Sequence, residues 1–78
     1  MTKLWVGILP ADATDAALLA FFTENGITPH SAIVVKDRTT GENRRIGAVE
    51  VEDADAAISA ADGKKMGDYT LKVTRWRL

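Results

Sequence analysis

Cysteine is absent from this 78-residue chain, which excludes disulfides, thiolate metal sites and thiol redox chemistry. With His30 as its only histidine, the chain lacks the ligands for a histidine-built metal centre. No cofactor is expected. Long apolar runs are also missing. None approaches the roughly 18–20 residues that a membrane span needs, so no membrane partner is expected. Strand-like sequence starts directly after Met1, with no signal peptide expected before it, and the expected location is cytoplasmic. Charge of one sign is lacking too: 10 Lys and Arg stand against 11 Asp and Glu, a net charge of −1. That balance argues mildly against a non-specific nucleic-acid binder, which usually carries a basic excess. Length excludes barrels and doubly wound nucleotide-binding sheets and leaves one domain, taken as residues 1–78.

What the chain has is distributed unevenly. Glu50 to Asp62 holds five acids and no base, whereas Lys64 to Leu78 holds five bases and one acid. Arg38, Arg44 and Arg45 form a second basic group. Folding either spreads these as salt-bridged surface or gathers the bases on one side.

Apolar spacing outlines the elements. Lys3 to Leu9 is β-prone and ends at Pro10. Thr14 suits an N-cap, Asp15 faces the helix dipole, and Leu18, Phe21 and Phe22 form one helical stripe closed by Asn25-Gly26. A second strand lies in 31–35 and a third in 46–51, joined by the polar turn 37–43 in an antiparallel hairpin. Asp53 caps a short helix striped by Ala54, Ala57, Ile58 and Ala61, and Gly63 stops it. Residues 69–74 alternate as a fourth strand continuing toward Trp76. The order is β-α-β-β-α-β. Two right-handed crossovers in one sheet then give a ferredoxin-like α+β sandwich, with four antiparallel strands in the order 4-1-3-2 and both helices on one face.

The other face is left bare. Strand alternation sends Leu4, Val6, Val34, Val49, Val51, Leu71 and Val73 to the helices. Their neighbours fall on the open face: Lys3, Trp5 and Gly7, then Ile33 and Val35, then Arg44, Ile46, Ala48 and Glu50, then Lys72 and Thr74. Trp5 is the decisive residue. It is either local cover, packed against Ile46 or Trp76, or a platform on which a nucleic-acid base stacks.

These residues carry a resemblance to the RNA recognition motif. Leu4-Trp5-Val6-Gly7-Ile8-Leu9 resembles the family's hexamer on the first strand, and Arg44-Arg45-Ile46-Gly47-Ala48-Val49-Glu50-Val51 its octamer on the third. The turn 37–41 and both helical stripes are similar as well. The resemblance implies single-stranded RNA binding on the open face. It also exposes departures. The family usually shows three rings, of which Trp5 supplies one, while Ile46 and Ala48 hold the two octamer positions. Arg45 replaces the octamer's glycine and Ile8 the hexamer's asparagine. Two lost platforms amount to about 2–6 kcal/mol, so binding is expected to be micromolar or weaker. Trp76 either restores one platform or folds back onto the domain edge.

The expected RNA site is Trp5 with Val35, Ile46 and Ala48 as apolar contacts, and Lys3, Arg44, Lys72 and Thr74 as polar ones. Arg38, Arg45, Arg75, Trp76 and Arg77 flank it. The competing reading is a protein-interaction or self-association module on the same aliphatic face, to which Leu19 on the first helix would add. An enzyme is not expected. His30 follows Pro29 in a loop, Asp53 and Asp55 suit helix capping, and Gly7 and Gly47 read as sites of close backbone approach rather than a phosphate loop.

Overall fold

The computed structural model describes residues 1–76. Strand β1 spans Thr2–Gly7, helix α1 Asp15–Glu24, β2 Ser31–Lys36, β3 Asn43–Val51 and helix α2 Ala54–Ala61. A two-stranded ribbon, β4 (Lys65–Met66) with β5 (Tyr69–Thr70), precedes β6 (Lys72–Arg75). The main sheet is antiparallel in the order β2-β3-β1-β6. With β6 as the fourth strand, this is the expected 4-1-3-2 arrangement.

Both helix starts are capped as their sequences imply. The Thr14 hydroxyl accepts from the Ala17 amide at 3.1 Å, and the Asp53 carboxylate accepts from the Ala56 amide at 3.1 Å. All seven residues assigned to the helix side are buried, and they join Leu9, Leu18, Phe21, Phe22 and the α2 residues Ala54, Ala57 and Ala61 in one core. Gly47 is needed here. A β-carbon on it would lie 2.6 Å from a Leu18 methyl, so the glycine lets α1 press against β3.

The structure corrects the fourth strand. Residues 69–74 do not run as one strand: Tyr69 and Thr70 pair with Met66 and Lys65, and only Lys72–Arg75 joins the main sheet. The cause is Gly67, whose φ of 62° opens a two-residue hairpin turn, a conformation that favours glycine. The ribbon extends to Leu71, whose amide donates to the Lys64 carbonyl at 2.8 Å.

Asp15 in the first turn of α1 and Asp62 just past the end of α2 each also bond a strand edge. β2 and β6 are the edge strands, with unpaired amides along their outer sides. The Asp15 carboxylate accepts from the Val34 amide at 2.7 Å, and the Asp62 carboxylate accepts from the Val73 amide at 2.9 Å. Each edge is thereby tied to the end of a helix.

Candidate nucleic-acid interface

Cross-strand register lays the open face out in rows. Ile33, Ala48, Trp5 and Thr74 stand side by side across β2, β3, β1 and β6. One row along, Ile46 and Lys72 flank Gly7. On the other side of Trp5, Ser31, Glu50 and Lys3 form a row that Trp76 completes, its amide donating to the Lys3 carbonyl at 2.9 Å.

Trp5 lies along its own strand. Its benzo-ring atoms Cη2, Cζ2 and Cζ3 sit 2.6, 2.9 and 3.2 Å from where a Gly7 β-carbon would be. Gly7 is buried, but beneath the indole rather than beneath the helices. The glycine allows the ring to rest on the strand with its outer side toward solvent. Ile46 and Lys72 border that platform because they pair with the residue it covers.

Trp76 stands on the same face. It is half-buried, and the Lys3 ammonium lies 5.4 Å from its ring centroid, within cation–π range. The strand therefore does carry its alternation to Trp76, which does not fold back onto the domain edge. The face also holds an acid, Glu50, opposite Lys3, which dilutes its positive charge.

The β3 end of the face is irregular. Val35 of β2 stands opposite three residues of β3, namely Arg44, Arg45 and Ile46, so β3 bulges there. Arg45 takes a φ of 64°, the left-handed conformation that suits the family's glycine and costs another residue about 1–2 kcal/mol. Local bonds offset that cost. The Arg45 amide donates to the Asn43 side chain at 2.6 Å, and its Nε donates to the Leu9 carbonyl at 2.9 Å. Its guanidinium stands 5.0 Å over the Tyr69 ring. Arg45 is thus engaged with the β1–α1 connection and the ribbon. Asn43, which the sequence reading passed over, holds the same region by donating to the Ala11 and Ala13 carbonyls at 3.3 and 3.2 Å.

The other expected bases divide. Lys3 and Lys72 are exposed on the open face. Arg75 points to the helix side, where it donates to the Asp55 carboxylate at 2.6 Å. Arg38 is exposed in the β2–β3 turn, and Arg77 lies outside the described residues. Arg44 is exposed at the hairpin end, where its charge acts on Asp37. The Asp37 carboxyl is held below its ordinary pKa, first by the Thr40 and Thr39 amides that donate to it and then by Arg44.

A family model described as the RNA recognition motif matches residues 4–72. The chain belongs to this family. It is 35% identical over 74 residues to the chloroplastic RNA-binding protein CP31B of Arabidopsis thaliana, covering 91% of this chain and 25% of that protein. It is 39% identical over 71 residues to human RNA-binding protein 38, covering 82% of this chain and 29% of that one. The RNA recognition motif described here thus spans about a quarter to a third of the length of these relatives. Among solved structures, it superposes on a Sex-lethal protein–RNA complex with a TM-score of 0.82 at 28% identity, covering 99% of this chain and 47% of that one.

Proposed function

We propose that this domain is a binding module, not an enzyme, that takes up single-stranded RNA on its open sheet face. The observation that carries the reading is the Trp5 indole, laid over Gly7 on the face no helix covers, partly exposed and bordered by Lys72 and Ile46. A base of any identity stacks on such a ring, while Lys3 and Lys72 meet phosphates. The family membership and the RNA held by the Sex-lethal relative support the same assignment.

An NMR titration with short single-stranded RNAs tests it. The Trp5, Ile46 and Lys72 amides are expected to shift, with a dissociation constant in the micromolar range or above. No movement at millimolar RNA would overturn the proposal.

Two substitutions refine the expectation. Arg44→Ala is expected to weaken binding less than loss of a ring does, by an amount that shrinks as salt rises, because the arginine acts through charge. A salt-independent loss would contradict that role. Ala48→Phe is expected to tighten binding by roughly 1–3 kcal/mol. It adds a ring between Ile33 and Trp5 on a face no helix covers, and unchanged affinity would show that a ring placed on β3 recruits no base.

A second reading rests on Ile33, 54% exposed and continuous with Val35, Ile46 and Ala48. This aliphatic half of the face suits a protein partner or a second copy of the chain. Broadening of these amides with protein concentration alone is its expected signature.

A further inference from the structure

The open face is divided along its length. The β2–β3 half presents Ile33, Ile46 and Ala48, none of which can stack, whereas the β1–β6 half carries both indoles. Trp5 stands beside Thr74, and Trp76 beside Lys3, so the two tryptophans are diagonal cross-strand neighbours, about 7–8 Å apart along the backbone surface. Lys3 is the residue between them: it precedes Trp5 by two on β1 and holds its ammonium 5.4 Å from the Trp76 ring centroid.

Resting on the RNA-binding reading above, we propose that Trp76 is the second stacking platform. The RNA path then crosses from β1 to β6 instead of from β1 to β3, with adjacent bases on Trp5 and Trp76 and the linking phosphate met by Lys3. Three features agree with this path. Both rings lie on the uncovered face, the cation is already placed beside the second ring, and the neighbouring β6 side chains, Thr74 and Lys72, are polar where Ile33 and Val35 of β2 are aliphatic. The lysine–indole contact keeps Trp76 on the face before RNA arrives. On binding, the ammonium exchanges the ring for a phosphate.

The chain has two tryptophans, so single-tryptophan variants report each platform separately. Trp5→Phe leaves Trp76 as the sole indole and keeps a ring at position 5. Random single-stranded RNA octamers are expected to quench its emission. In the parent chain, Trp76→Leu is expected to raise the Kd about 5- to 150-fold, and Trp76→Phe to restore most of the loss. Lys3→Gln is expected to weaken binding and to lower the salt dependence by about one phosphate contact. If the parent binds the octamers while Trp76 emission stays constant and Trp76→Leu binds as the parent does, the β6 path is wrong and RNA binding stands. If the parent binds no octamer at all, the functional proposal itself falls, and this inference with it.

Discussion

Trp5→Ala is expected to weaken single-stranded RNA binding by about 1–3 kcal/mol, roughly a 5- to 150-fold rise in Kd, with little change in the domain's stability. The two effects separate because the indole lies outside the core. Leu4 and Val6, on either side of it in sequence, are fully buried under the helices, while the ring rests on the opposite face of the strand over Gly7. Its orientation should matter as much as its presence. Gly7→Ala keeps the tryptophan but sets a methyl group 2.6 Å from Cη2, which forces the ring to tilt off the strand. That variant is expected to bind more weakly than the parent while remaining folded. Calorimetric or fluorescence titration of the three proteins, with a thermal melt of each, checks the pattern. Parent-like affinity in Trp5→Ala would remove the platform from the site.

The second large effect concerns the frame that carries the face. Asp15→Ala is expected to lower unfolding stability by about 1.5–3 kcal/mol, the range for a hydrogen bond to a charged group. The substitution leaves the Thr14 cap in place but frees the Val34 amide on the outer edge of β2. Asp15→Asn keeps an oxygen acceptor and should lose less. Chemical denaturation gives the magnitude, and faster hydrogen exchange at Val34 gives the location. An Asp15→Ala protein with parent stability and unchanged exchange would show that the edge contact contributes nothing. Stability here bears on function, because β2 borders the aliphatic half of the open face, and a released edge strand is a template for pairing with other chains.

Much of the site was legible in the residues. Period-two alternation placed Leu4 and Val6 inside and Trp5 outside, and one residue of slippage would have reversed every assignment. Gly7 and Gly47 were legible as points of close approach, though not which side chain approaches each. For Gly7 it is Trp5, and for Gly47 it is Leu18. Arg45 and Arg75 were read as rim contacts for RNA because they are basic and adjacent in sequence to the face. In the structure Arg45 also bonds Leu9 and stands over Tyr69, and Arg75 bonds Asp55. A side chain that long takes its partner from whatever the fold brings near, and sequence position does not specify that.

By itself, the sequence determined the order of the two helices and the four main-sheet strands, both helix N-caps, the inward and outward faces of most strand residues and the family. Those properties follow from spacing within a few residues, where backbone geometry repeats every 2 or 3.6 positions. Only the tertiary structure decided the rest. It split 69–74 between a ribbon and the last sheet strand, because Lys65 and Met66 offered Thr70 and Tyr69 a nearer partner through the Gly67 turn. It gave Asp15 and Asp62 their strand-edge amides, 19 and 11 residues away in sequence. It set Trp76 beside Lys3 on the open face, a pairing of chain ends that arises only when β6 docks against β1. Such contacts depend on which distant segments meet, and that is settled by burying the shared core rather than by any local pattern.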